Sequence, residues 1–231
     1  KTSVSRSFNM LSRTSVHCKQ ITFDQPVLTN EELDALRHIS HPDFRVTQID
    51  AIFNADGKNG NIEKALKKMC ADADRAIIDR GSNILLISDR KISKEYVAIP
   101  SLLATGALHN HLIKNGLRVR TGIIVEAGDV FETHHFATLI GYGANAVNPY
   151  LTFETITTLH EKKYISQETD IHTANKNYIY AIGSGLLKIF SKMGISTLQS
   201  YKGSQILECY GISEKVISTC FNGTVSKIRG L

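Results

Sequence analysis

Short apolar runs recur along this chain, each closed by small or polar residues and followed by a stretch with helical spacing. Ile123-Ile124-Val125 ends in Glu126-Ala127-Gly128, as a strand buried on both faces and closed by a turn would. Phe136, Leu139 and Ile140 then follow at spacings of three and four, and Gly141 and Gly143 stop that helix before a second strand at Ala146-Val147. Upstream the same alternation appears twice more. Phe44 to Phe53 alternates as a strand, and Asn61 to Arg80 places Ile62, Leu66, Met69, Ala73 and Ile77 on one side of a long helix that Gly81 ends. Ile84 to Ile87 is an apolar strand followed by Ser88-Asp89-Arg90, and Pro100 opens a helix reaching about Asn115 that Gly116 closes. The order β-α-β-α-β-α-β predicts an α/β fold with parallel strands buried between helices. Spacing alone leaves open whether those strands form an open sheet or part of a barrel.

The flanks are less regular. The first twenty residues are unpatterned and basic; KTSVSRSFNMLSRTSVHCK is Ser-rich and free of acids, the composition of a transit peptide. That reading fails if the chain is an internal piece of a longer one. An extended Ile21-Thr22-Phe23 precedes a helix whose Thr29 and Glu32 have capping-box spacing. After Asn148 come a helix near Glu154 to Glu161, a polar loop to about Thr173, and a helix from Ala174 to Met193 in which Gly183 and Gly185 allow a break. Gly194 to Leu198 is a terse strand or turn, and Ser204 to Tyr210 supplies a further helical turn with Ile206 and Leu207. The expected organisation is a basic segment over 1–20 and one domain over 21–231.

At 231 residues and 42% hydrophobic content, the chain suffices for one domain with a sizeable core, or for part of a larger one. A net charge of +5 is spread among acidic neighbours, as from Glu63 to Arg80, rather than gathered into a run. Nucleic-acid binding therefore has little support. The longest apolar runs are strand-sized, far short of a membrane span. Cys18, Cys70, Cys209 and Cys220 are isolated, with no CxxC or Cys/His ligand spacing, so no zinc or iron–sulfur site is expected here. Cys70 lies on a helix face with Ala65, Leu66, Met69 and Ala73, where a buried free thiol is the ordinary reading. Reduced thiols suit an intracellular protein, in the cytoplasm or, alternatively, a plastid.

Candidate chemistry is sparse. His134 and His135 are adjacent, and His109 and His111 are two apart, so neither pair presents two ligands on one helix face; packed or hydrogen-bonded imidazoles are expected instead. Ser184 lies between two glycines without the GxSxG spacing of a nucleophile elbow, and Ser191-Lys192 has only a superficial likeness to a Ser/Lys pair. No GxGxxG follows a strand and no GxxxxGK[ST] occurs. Asp89, Glu126 and Asn148 remain. They sit at or just past the C-terminal ends of apolar strands, where parallel folds place catalytic groups, and they are the polar candidates for a site. A local Asp89-Arg90 salt bridge is the competing reading.

VEAGDVFETHHFATLIGYGANAVNPYLTFET, from Val125, resembles the central domain of the glutamate synthase large subunit. So do CKQITFDQPVLTNEELDALR from Cys18, ILLISDR from Ile84, IPSLLATGALHNHLIKNGLRVRTG from Ile99, and GLLKIFSKMGISTLQSYKGSQILE from Gly185. The resemblance implies a partial or degenerate (β/α) barrel similar to the flavin-barrel fold. It implies a multidomain oxidoreductase that makes two glutamates from glutamine and 2-oxoglutarate, with FMN and an iron–sulfur cluster in the parent enzyme and none in this segment. The implied partners are the glutaminase and FMN synthase domains of the same polypeptide, with a small subunit or ferredoxin as electron donor. The implied role is a connecting one that links the two active sites and walls an ammonia tunnel. The chain would then end near the start of the FMN-binding synthase domain, and no catalytic residue carries over.

Flavin barrels hold phosphate with a strand–Gly–helix–strand–Gly segment of the outline seen here. After Gly128, however, Asp129 and Glu132 place two acids where the phosphate would lie, which suits the helix dipole and repels an anion. Two other classes stand beside the connecting domain. One is a self-contained small-molecule enzyme using Asp89, Glu126 and Asn148; the other is a basic adaptor module.

Overall fold

The computed structural model describes residues 1–4, 19–58 and 60–230. Its centre is a four-stranded parallel sheet of β3 (Val46–Asp50), β5 (Ile84–Ser88), β7 (Gly122–Glu126) and β8 (Ala146–Asn148), in that order. Strands that follow one another in the chain are neighbours in space, because α2 (Asn61–Ile78), α3 (Ser101–Lys114) and α4 (Thr133–Gly141) supply the crossovers. The strand-helix repeats and the parallel sheet stand as the apolar pattern predicts. Among the described residues the sheet does not close, and its far edge is extended only by Val27, which bridges in parallel to Val147.

Every residue of β5 and of β7 is buried, which explains the unbroken apolar runs. One face packs Leu85, Ile87, Ile123, Val125 and Val147 against α2, α3 and α4. The other packs Ile84, Leu86, Ile124 and Ala146 against Val4, Leu28, Leu33 and Leu36. Leu33 and Leu36 belong to α1 (Asn30–Arg37), which starts at the expected capping box: Thr29 N–H donates to Glu32 at 2.9 Å, and Glu32 N–H donates to the Thr29 hydroxyl at 3.2 Å. The face that would be the lumen of a barrel is thus filled by α1 and by the ribbon of β1 (Thr2–Val4) with β2 (Ile21–Phe23). The segment that looked unpatterned therefore contributes a strand, with Val4 fully buried; Cys18 and most of the transit-like stretch lie outside the described residues.

Four other expectations change. The alternating stretch from Phe44 is two strands, for after Ala51 the chain leaves the parallel sheet and β4 (Ile52–Asn54) pairs antiparallel with β6 (Tyr96–Ala98). Ala51 is the pivot, its N–H bonded to Ser88 and its carbonyl to Ile99 N–H. The helix expected near Glu154 begins earlier, as α5 (Tyr150–Glu161), directly after Pro149. α6 (Ile171–Lys192) is unbroken. Its glycines serve close approach: a Cβ on Gly183 would lie 2.8 Å from Gln25 Oε1, and one on Gly185 would lie 2.6 Å from Thr133. Finally, no helical turn forms at Ser204. The short α7 (Leu198–Tyr201) comes before it, and β9 (Glu208–Ile212) continues through α8 (Glu214–Cys220) into β10 (Val225–Arg229), parallel to β9. Gln205 at φ 55° and Gly211 at φ 69° take left-handed backbone that no helix tolerates.

α8 lies against α3 at Gly106, where an added Cβ would come 2.1 Å from the Cys220 carbonyl oxygen. Ala is favoured over Gly in a helix by roughly 1 kcal/mol, but overpacking against backbone costs about 1–3 kcal/mol. Gly106→Ala is therefore expected to destabilise the fold by up to about 2 kcal/mol net, read as a lower urea midpoint. A midpoint at or above that of the parent would show that α8 is free to move away.

Candidate functional site

Strand register gathers the polar candidates. Asp50 pairs with Ser88, Ser88 with Glu126, and Glu126 with Asn148, so the last residues of four parallel strands form one row across the sheet. All four share a face, because side chains in register point the same way. This is the face that carries Leu86 and Ile124, and α1 packs over it.

Glu126 is the centre of the row. Its side chain is 1% exposed and lies between Arg37 and Arg90. Arg37 Nη2 donates to Oε2 at 2.7 Å, Arg90 Nε to Oε1 at 2.8 Å, and the Ser88 hydroxyl to Oε2 at 2.5 Å. Arg90 also reaches Glu154 at 3.2 Å and stacks its guanidinium 4.2 Å from the Tyr150 ring centroid. At the ends of the row, Asp50 accepts from Lys91 Nζ at 2.7 Å. Asn148 donates to the Leu28 carbonyl and to Asn30 Oδ1, both at 3.0 Å. A carboxylate so enclosed is fully engaged by its own chain.

Asp89 sits one residue past β5 and turns away from Glu126. Its Oδ2 accepts from Gly128 N–H at 2.9 Å and the Tyr150 hydroxyl lies beside the carboxyl, while among the described residues Oδ1 is buried without a partner. Burial pushes this carboxyl above its ordinary value, and the Gly128 hydrogen bond pulls part of the way back. Burial, and then the Asp89 charge, push the neighbouring Tyr150 hydroxyl up as well. Asn148 Oδ1 and Arg37 Nε are likewise buried without partners. The Asp89-Arg90 salt bridge does not form, since Arg90 pairs with Glu126 and Glu154 instead.

The acidic turn works differently from the expectation that both acids would serve one helix. Glu132 is the N-cap of α4, whereas Asp129 reaches back to α3, its Oδ2 accepting from Ser101 N–H at 3.0 Å. Pro100, the N-cap of α3, offers no side-chain cap, so a carboxylate from another loop fills the place an anion would take. Asp89 on Gly128 N–H does the same at the turn itself.

The histidines are hydrogen-bonded rather than clustered. His135 Nδ1 accepts from Phe131 N–H at 3.3 Å, His109 Nδ1 from Arg118 Nε at 2.9 Å, and His111 Nε2 lies 2.8 Å from Asp74; His134 is exposed. Among the described residues no three His, Cys, Asp or Glu side chains are grouped to hold a metal. Ser184 and Ser191-Lys192 lie within α6. Sequence reasoning found Asp89, Glu126 and Asn148 but missed Arg37, which reaches Glu126 from 89 positions away. Its only signal was a basic residue ending a helix that follows the first extended segment.

Among the described residues no helix is long and apolar enough to cross a membrane. The family model for the glutamate synthase central domain matches residues 1–213. The NADH glutamate synthase of Schizosaccharomyces pombe is 42% identical over 97% of this chain and 11% of its own length. The NADPH glutamate synthase large chain of Bacillus subtilis is 43% identical over 96% of this chain and 14% of its own. The chloroplastic ferredoxin-dependent glutamate synthase of Spinacia oleracea is also 43% identical, over 96% of this chain and 14% of its own. The chain thus spans 11–14% of the length of these curated relatives.

Removing one partner from a buried ion pair costs about 3–5 kcal/mol, and the partial exposure of both arginines reduces this. Glu126→Gln is expected to lower stability by roughly 2–4 kcal/mol in urea unfolding; an unchanged midpoint would refute the ion-pair account. Asp89 has the opposite sign. Because its folded value is raised, the stability it contributes is full below its ordinary value of 3.8 and is lost as pH rises through the raised value. Asp89→Asn should therefore raise the melting temperature at pH 7 to 8, with the gain closing toward pH 4. A gain independent of pH would sink that explanation.

Proposed function

The chain belongs to the glutamate synthase central-domain family, and we propose that it is the non-catalytic connecting domain of such an enzyme. The observation that carries this reading is the filling of three anion-ready positions around the Gly128 turn by the chain's own carboxylates. Asp129 occupies the N-terminus of α3, Asp89 the Gly128 turn, and Glu132 the N-cap of α4. A phosphate placed there would meet like charge at hydrogen-bonding distance. The lumen face of the sheet, where a barrel would seat a ring system, is occupied by Leu33 and Leu36 of α1.

On this reading the parent polypeptide is an oxidoreductase that makes two glutamates from glutamine and 2-oxoglutarate, with FMN and an iron–sulfur cluster in other domains. The central domain joins the glutaminase and FMN synthase domains and helps wall the passage for ammonia between them. Relatives named for NADH, NADPH and ferredoxin are 42%, 43% and 43% identical to this chain, so identity to this chain singles out no donor. The cytoplasm is the compartment proposed, with a plastid as the alternative that the Spinacia relative suggests.

A second reading has one specific observation in its favour. Asp89 Oδ1 and Asn148 Oδ1 are buried acceptors without partners among the described residues, each at the end of a parallel strand, and such groups attract substrate in α/β enzymes. In this version Asp89, Glu126 and Asn148 form a site of their own.

The two readings part under a direct test. Incubated with micromolar FMN and passed over a desalting column, the chain should elute without flavin absorbance. It should also form no glutamate from glutamine and 2-oxoglutarate, whereas the full-length protein should do so with a suitable donor. Flavin retained by the chain, or glutamate formed by it alone, would overturn the connecting role. Loss of full-length activity on Asp89→Asn with stability intact would favour the second reading.

A further inference from the structure

β5 and β7 are covered on both faces, whereas the second parallel pair of this chain, β9 with β10, is covered on one. The two strands form a sheet of their own, joined by α8. One face looks inward: Cys209 is buried in the main core, against which Val216 and Ile217 of α8 also pack. The other face is open. Tyr210 stands opposite Ile228 in the register and Glu208 opposite Val225, so these four side chains share a face. The Tyr210 hydroxyl donates to Glu208, and Lys227 Nζ donates to the same carboxylate at 3.0 Å. Tyr210, Val225 and Ile228 are 58%, 59% and 61% exposed. Parallel sheets as a rule bury both faces, and three large apolar side chains grouped on an open one mark a contact surface.

Charge and size restrict what can cover it. Lys227 answers Glu208 within the face, so no net charge is left there to select an acidic or basic partner. Two neighbouring strands of five residues make a strip about 16 Å long, the length of roughly three turns of helix. Such a strip falls far short of the roughly 800 Å² per partner that separate chains bury in a stable complex. A tethered segment needs no such area, because the linkage supplies its concentration. The chain spans only 11–14% of the length of its relatives, which leaves most of those polypeptides to provide one. The family match ends at residue 213, so α8 and β10 lie beyond it and yet complete a unit with β9, which lies inside it. We infer that the face of Tyr210, Val225 and Ile228 docks an apolar helix from a further domain of the same polypeptide. This docking presupposes that the chain is one domain of a longer enzyme, as in the proposed function, but not that the domain lacks catalysis.

The test uses the full-length protein. In Val225→Cys, maleimide should label position 225, localised by peptide mass spectrometry, roughly a hundredfold more slowly in the native protein than in urea. A photoreactive benzoylphenylalanine replacing Tyr210 should cross-link within one polypeptide to an apolar segment outside residues 1–231. Hydroxyl-radical footprinting of the unsubstituted protein makes the same reading should either variant fail to fold: oxidation of Tyr210 and Ile228 should be lost in the native state and regained in urea. Labelling at the urea rate, or undiminished oxidation of both residues, would overturn the docking face and leave the flavin test of the connecting role unaffected. Cross-links that join two copies, or that fall within residues 1–231, would overturn it as well.

Discussion

Parallel pairing of strands that are dry on both faces is the constraint from which the rest of this structure follows. β5 and β7 have no exposed position, so each strand must be covered twice and its backbone groups must all be paired within the sheet. Crossover helices cover one face as a matter of topology. The other face needs a separate cover, which the chain makes from its N-terminal part: Val4, Leu28 and the apolar side of α1. Once α1 is in place, its last residue, Arg37, stands over the strand ends, and Glu126 has a counter-charge it could not obtain from its own strand. Filling the second face and neutralising the buried carboxylate are thus one event, and both remove the space a closed barrel would keep for a ligand.

Much of this was legible in the chain because local rules and global fold agree. The capping box at Thr29, the apolar runs of β5 and β7, and the glycines after α2 and α3 each state a local preference that the packing keeps. What was illegible depended on distant partners. Nothing in the alternation from Phe44 to Phe53 announces that Ala51 passes the chain from one sheet to another, since both halves are extended. Gly183 and Gly185 are helix-weakening residues by propensity, and only Gln25 and Thr133, pressed against them, show why no larger residue stands there. The stretch after Ser204 contains Ile206 and Leu207 at no decisive spacing, and its fate as β9 is decided by pairing with β10.

The candidate site was half legible for the same reason. A polar residue ending each apolar run is visible in one dimension, and it pointed to Asp89, Glu126 and Asn148. The structure then divides them by direction. Glu126 and Asn148 share the inner face, whereas Asp89 turns to the Gly128 amide. Counting strand-end residues gives position along a strand but not the side on which the polar atom finds its partner, and that side distinguishes a sequestered carboxylate from an available one.

The two ends of the sheet can be understood from a single electrostatic rule. In a parallel α/β array every crossover helix runs opposite to the strands, so helix N-termini collect at the strand C-terminal end and helix C-termini at the other. The first end should attract anionic groups, and Asp129 and Glu132 are there; the second should attract cations, and Arg118 and Lys202 are there. The rule does not balance equally at both ends. Arg37 and Arg90 answer Glu126 where carboxylates gather, so its charge is neutralised by the chain itself. At the cationic end the chain supplies only carbonyls and a neutral imidazole, dipoles that can orient a charge but cannot cancel it. The end that resembles a cofactor site by motif is therefore the one where the chain's own arginines already answer the central carboxylate.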